Sequence, residues 1–315
     1  RDRTMLRNVL LAALLTPFAF VPAEPTPAAK PFSCRWAAGP IALGTKEVDV
    51  ASLGETLPDQ LASHLSSDRD ADIATRMLAV MSLAGGVLDP QKTQRLRSFA
   101  SALGIDEEYL GILDDATSGK IGRATDTLAQ RGAEYFLPAQ THDPESDPVD
   151  ALMPFGDSGT EAVLEERYKS LGRLPAGTFG RSLFDHFSEN ELSFPASQRG
   201  QAESFVIPHD SAHVIGGYST HERDELLVAA FTAAMHPRKP MESQIVPAMF
   251  CWHLGIKLSW LGGSYRGAFE PDAFWTAWAR GTSTRFDLFD PEWDFWSATE
   301  QPLEDVRRSL GVSDT

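Results

Sequence analysis

His209-Asp210-Ser211-Ala212-His213, followed after eleven intervening residues by Glu225, is the pattern in this sequence best suited to chemistry. On a helix, imidazoles at i and i+4 share one face with Cβ atoms about 5–6 Å apart, close enough to grip one metal ion. Asp210 stands three residues before His213 and can reach the same edge, as a ligand or as the hydrogen-bond partner of an imidazole N–H. Glu225 must come from the next element. Gly216-Gly217-Tyr218-Ser219-Thr220 reads as a turn, and Ser219 followed three residues later by Glu222 is a capping-box pattern. It opens a new helix with Glu225 near its first turn. The expected site is therefore a helix hairpin with His209, Asp210, His213 and Glu225 as metal ligands. Nitrogen and carboxylate donors of this kind suit a divalent cation: zinc first, with iron or manganese as alternatives that donor type does not separate.

The elements that must carry these residues are helical. Leu226 to Phe231 and the run from Met249 to Leu261 are apolar on wide arcs, as core helices are. Ala229, Ala230, Ala233 and Ala234 leave room for a close neighbour, either another helix or an apolar ligand tail. Upstream, Asp72 to Leu83 places Ile73, Met77, Val80 and Met81 at helical spacing. Asp89-Pro90 is a helix start, with Asp as N-cap and Pro at the first position. Leu96, Phe99, Ala100 and Leu103 follow on one face until Gly104, and Asp106 is expected to cap a further helix. Strand-like alternation is scarce, so the predicted fold is all-α. His221, His236 and His253 have no motif around them and are expected as surface or satisfied core histidines.

The chain of 315 residues is long for one domain. The expected division is a leader and linker over 1–49, a helical bundle over 50–140, a Pro-rich acidic linker over 141–160 and a second helical domain over 161–315. A net charge of −16 argues against nucleic acid, which needs a basic face, and against electrostatic attachment to anionic lipid. Any membrane contact would be apolar and peripheral. Cys34 and Cys251 form no CxxC pair, which excludes thiolate zinc sites and leaves them as small apolar side chains. Residues 1–23 combine a basic start, a short apolar middle and a small residue at Ala23, like a secretory signal. The expectation is a cytoplasmic protein, peripheral on the membrane, with export as the alternative if that segment is a signal.

Several landmarks in the second half occur in the order found in the Coq-four family of ubiquinone-biosynthesis proteins. Leu174-Pro175-Ala176-Gly177-Thr178-Phe179-Gly180 is similar to its LPxGTxG segment, and Asn190 to Pro195 to the NxLxxP that follows. The HDxxH-x11-E pattern of His209, Asp210, His213 and Glu225 resembles its metal motif. Arg280-Gly281, Trp293 and Leu303 to Gly311 resemble its closing arginine-glycine, tryptophan and LxxxRxxLG. The resemblance covers about half the chain. It implies an all-α prenyl-lipid groove beside a divalent metal, with a prenylated aromatic acid as substrate. The implied chemistry is removal of the carboxyl from ring carbon 1 and oxygenation there, and the implied partners are other quinone-biosynthesis proteins. One departure is that only Ala196 to Pro208 separates Pro195 from His209, where many members carry a longer Tyr/Arg-containing segment.

Over about 60 residues the first bundle resembles a tellurite-resistance TerB-type module, from Met81-Ser82-Leu83-Ala84-Gly85-Gly86-Val87-Leu88-Asp89-Pro90 to Leu103-Gly104-Ile105. The acidic residue usual beside its first glycine is absent, so packing or partner binding is expected there rather than metal. Two other functions fit the second domain. One is a metal phosphohydrolase of the HD superfamily, which needs an upstream histidine, for which His186 is available, and a downstream aspartate, Asp272 or Asp287. The other is a non-catalytic prenyl-lipid scaffold.

Overall fold

The computed structural model describes residues 56–65, 67–136, 162–197, 200–235 and 239–312. The expected leader, the linker over 141–160, the signal-like segment, Cys34 and His236 lie outside the described residues. Among the described residues all regular structure is helical, with no strand. No helix there is long and apolar enough to cross a membrane.

The N-terminal segment is a bundle of α1 (Pro58–His64), α2 (Asp68–Leu83), α3 (Pro90–Ala102), α4 (Glu108–Thr117) and α5 (Ile121–Phe136). Its punctuation follows local rules. Ser67 caps α2 by accepting from Asp70 N–H, and Asp89 caps α3 by accepting from the Gln91 and Lys92 N–H groups. Gly104, at φ +71°, closes α3 in a left-handed turn. Asp106 does not cap the next helix: α4 begins at Glu108, with Glu107 at the cap position and no side-chain cap.

The C-terminal segment runs through α6 (Ala162–Ser170), α7 (Phe179–Glu189), α8 (Glu203–Gly216) and α9 (Glu222–Met235). There follows α10, in which π turns at Met241–Ile245 and Met249–His253 flank an α turn at Val246–Ala248. After a loop come α11 (Pro271–Thr282), α12 (Phe295–Thr299) and α13 (Leu303–Leu310). The LPxGTxG-like segment is structural. Thr178 caps α7 by accepting from Arg181 N–H, while Phe179 N–H donates to the Gln301 carbonyl and Leu303 N–H to that of Gly177. This lashes the final helix to α7.

Helices α9 and α11 are packed so closely that a Cβ on Gly281 would lie 2.0 Å from the Phe231 carbonyl oxygen and 2.9 Å from Ala234 Cβ. Part of the small-residue stripe on α9 thus admits another helix, while Ala229 faces a cavity.

Apolar side chains from both segments form one contiguous core cluster. His253 is a satisfied core histidine at their junction. Phe269 N–H donates to its Nδ1 at 3.2 Å, which leaves Nε2 to carry the proton and donate to the Ala84 carbonyl at 3.1 Å. Both nitrogens are used by the neutral ring. Burial holds this imidazole below its ordinary pKa, against the opposing pull of the carbonyls of Ala84 and Leu83.

Two predictions follow from this packing. Gly281→Ala should cost about 1–3 kcal/mol by overpacking, read from urea denaturation. Below pH about 6.5 the unfolded chain takes up a proton that folded His253 refuses, so its contribution is full above that pH and is lost as pH falls. His253→Gln should therefore lose less stability than the wild type between pH about 7.5 and 5.5. Equal losses in the two proteins would rule this out.

Candidate metal centre

His209 and His213 project from the same face of α8, and their Nε2 atoms lie 3.3 Å apart. Glu225, in the first turn of α9, returns over them: its Oε2 is 3.4 Å from His209 Nε2 and its Oε1 is 3.5 Å from His213 Nε2. These three are the one group of convergent metal-ligating side chains among the described residues. A cation with bonds of ~2.0–2.1 Å and tetrahedral angles keeps its ligand atoms roughly 3.3–3.4 Å apart; the two imidazole nitrogens have that separation, each faces a different oxygen of Glu225, and one ligand atom from each of the three residues lies within 4.8 Å of the others. The group can hold a metal ion, with three protein donors and room for a fourth ligand from the cavity described below.

Asp210 takes neither of the two places expected beside the histidine pair: its partner is a third imidazole, His186. It lies outside the convergent group, and its Oδ1 is 2.7 Å from His186 Nε2 on α7. His186 in turn stacks on the His213 ring, with centroids 5.3 Å apart and planes inclined at 29°. Since His213 Nδ1 is buried without a hydrogen-bond partner, that stacking and the edge contact with His209 orient its ring. Burial lowers the His213 pKa, with His209 adding to the effect. Burial also opposes charge on His209, but the Glu225 carboxylate outweighs it and raises that pKa. A carboxylate between two largely buried imidazoles is a cluster in which one cation can replace shared protons.

The hairpin forms for partly different reasons from those expected. Gly216 and Gly217 do make the turn: Gly217 sits at φ +70°, Tyr218 N–H donates back to the His213 carbonyl, and a Cβ on Gly216 would strike the Tyr218 ring. The start of α9, however, is not a Ser219–Glu222 box. Asp224 reaches back instead, accepting from the Ser219 N–H and hydroxyl at 2.8 and 2.6 Å.

Two arginines then fix the end of α8. The Arg280 guanidinium donates to the Gly216 carbonyl at 2.9 Å, and Arg307 donates to those of Ile215 and Val214 at 2.9 Å each. Both were visible only as landmarks of a family pattern. No local signal in the sequence ties them to α8.

Beside the triad lies a cavity of about 530 Å³. His209, Asp210 and Glu225 form part of its wall, with Asn190 and Thr220 nearby, hydrogen-bonded to each other at 2.7 Å. Phe205, Ala229, Pro247, Trp252, Trp260 and Leu261 make much of the rest apolar. Phe136, the last residue of α5, also lines it and meets Phe205 edge-on at 4.7 Å, while Phe205 stacks on His209 at 5.4 Å. The N-terminal bundle therefore supplies part of the wall. Asp272 and Asp287 belong neither to the wall nor to the donor group.

No family model matches the chain, and no curated protein matches it.

The wild type should bind one divalent cation per chain, with His213→Ala and Glu225→Ala retaining under about a tenth of it at limiting metal. Asp210→Asn should keep a site weakened ~10–100-fold, as expected of a residue that orients a ligand's surroundings. Chelator competition measures all three. Loss in Asp210→Asn as complete as in His213→Ala would make Asp210 a ligand.

Proposed function

We propose that this chain is a metal-dependent protein of quinone biosynthesis that removes the carboxyl group from ring carbon 1 of a prenylated hydroxybenzoate. The observation that carries the reading is the convergence of His209, His213 and Glu225, with His209 and Glu225 in the wall of a cavity of mixed polar and apolar lining. Histidine and carboxylate groups together with aromatic and aliphatic surface in one cavity suit an amphiphile with an anionic head and a greasy body. The volume falls in the ordinary range for small-molecule sites. The resemblance of the HDxxH-x11-E pattern and its ordered companions to the Coq-four family supports the same substrate class. Zinc is the proposed cation, on a donor set of two imidazoles and one carboxylate.

When bound, the cation would act as a Lewis acid on a carboxylate or phenolate oxygen. The chain's own residues do the rest. His209, His213 and Glu225 would hold the cation, and Phe205 and Trp252 line the cavity that would take the rest of the ligand. In the reaction the bond from the ring to the carboxyl carbon breaks, carbon dioxide leaves, and the electron pair left on the ring takes a proton. Oxygenation at the same carbon would require dioxygen and a two-electron reductant as co-reactants, one oxygen atom entering the ring and the other leaving as water.

A phosphohydrolase of the HD type is the second reading, favoured by the contact of His186 with Asp210. It lacks its downstream aspartate, since neither Asp272 nor Asp287 reaches the cavity.

A prenylated hydroxybenzoate labelled at the carboxyl carbon should release labelled carbon dioxide with the metal-loaded wild type, and at under about a hundredth of that rate with His213→Ala. Tight binding of the lipid without release, in aerobic buffer, would make the protein a scaffold. Hydrolysis of a phosphate ester with no lipid binding would favour the HD reading.

A further inference from the structure

The rim of the metal cavity carries a hydrogen-bonded pair whose protons are already assigned. Asn190, at the end of α7, and Thr220, in the turn before α9, both line the cavity that His209, Asp210 and Glu225 also line. Asn190 is exposed and Thr220 partly exposed, so neither is sealed in the core. The amide of Asn190 has one orientation. Its Nδ2 is 2.8 Å from the His186 carbonyl, which can only accept, so that end is the NH2 and the other end is the oxygen. The Thr220 hydroxyl lies 2.7 Å from this oxygen and donates to it. A threonine hydroxyl has a single proton. With that proton committed, Thr220 Oγ1 has only lone pairs left for a ligand.

The turn does not need this bond. The Ser219 N–H and hydroxyl donate to the Asp224 carboxylate, and Ser219 Oγ accepts from His221 N–H at 3.3 Å. The Thr220 side chain takes no part in these contacts. Among the described residues its one bond goes to Asn190, 30 positions earlier. The place of Thr220 relative to the triad follows from the start of α9. Glu225 N–H donates to the carbonyl of His221, the residue after Thr220, at 3.0 Å. Thr220 therefore precedes Glu225 by little more than one helical turn, about 5–8 Å along the axis. A benzene ring spans a comparable distance between two of its substituents.

We infer that Thr220, set by Asn190, recognises a hydroxyl group on the ring of the ligand whose anionic end meets the cation held by His209, His213 and Glu225. A ring hydroxyl can donate to the lone pairs of Thr220 Oγ1. A methyl ether has no proton to give, and a second carboxylate would set lone pairs against lone pairs. Asn190 keeps one amide proton and the rim is open to water, so the preference is modest. Thr220 is accordingly a specificity-determining residue, and Asn190 a positioning residue that acts through it. This rests on the aromatic-acid reading proposed above.

The test compares 3-geranyl-4-hydroxybenzoate with 3-geranyl-4-methoxybenzoate, binding to zinc-loaded wild type, Thr220→Val, Thr220→Ser and Asn190→Leu, by calorimetry. The wild type should prefer the hydroxylated probe by about 3–10-fold, the size expected of one net hydrogen bond. Thr220→Ser should keep the preference, and Thr220→Val should lose it by weakening for the hydroxylated probe alone, with zinc content near the wild-type value. Asn190→Leu frees the Thr220 proton without opening space, and should bind the methoxy probe more tightly than the wild type does. If the wild type binds both probes equally, the inference is wrong and the aromatic-acid reading stands. If it binds neither, both fall. A Thr220→Val protein that keeps the preference, or weakens for both probes alike, would show that Thr220 does not recognise the ring. No gain in Asn190→Leu would show that Asn190 does not set the Thr220 proton.

Discussion

The last turn of a helix leaves carbonyl groups that no further turn can satisfy, and in α8 they stand directly behind the histidine pair. Arg280 from α11 and Arg307 from α13 supply the missing donors to Val214, Ile215 and Gly216. Their charge also opposes the negative end of the helix dipole, a contribution of about 0.3–2 kcal/mol each in partly buried settings. The larger consequence is geometric. Three donor atoms must meet within a few tenths of an ångström to share a cation, and sites of this kind work only when the supporting shell is stiff. With the end of α8 clamped, the Gly216-Gly217 turn has one path, and Glu225 returns to the histidines from the first turn of α9.

The same clamp explains why residues so far apart in the chain act together. Arg280 lies next to Gly281, whose missing side chain lets α11 close onto α9, so the arginine that caps α8 is carried by the helix that backs the ligand-bearing α9. Arg307 sits on α13, which is lashed to the start of α7 through Gly177 and Leu303. Helix α7 in turn presents His186 to Asp210 and to the His213 ring. Each helix that carries a residue of the candidate metal centre is thus held by a second one.

The cavity is assembled from elements that have no reason to meet until the core forms. Phe136 closes the N-terminal bundle, Phe205 opens α8, and Trp252 belongs to the second π turn of α10. Burial of such rings, full for Phe136 and partial for Phe205 and Trp252, stabilises the junction of the two helical segments as well as the wall of the site. His253 marks the same junction from the other side, bonded to Ala84 of the N-terminal bundle and to Phe269. The first helices of the chain are therefore a structural part of the centre.

Local chemistry in the sequence was enough to fix the helical class, the caps at Asp89 and Gly104, the turn at Gly216-Gly217, and the convergence of His209, His213 and Glu225. All of these rest on spacing within a few residues, where backbone geometry leaves little choice. It was not enough to place Asp210, because its partner His186 is 24 residues away on another helix. Nor could it reveal that Asp224, one residue before Glu225, would tie Ser219 of the turn to the first turn of α9. The duties of Arg280 and Arg307, the wall position of Phe136 and the bond from Thr220 to Asn190 were decided by tertiary packing alone. Hydrogen bonds to a helix end and the surfaces of a cavity join residues with no fixed spacing, so no periodicity in the chain records them.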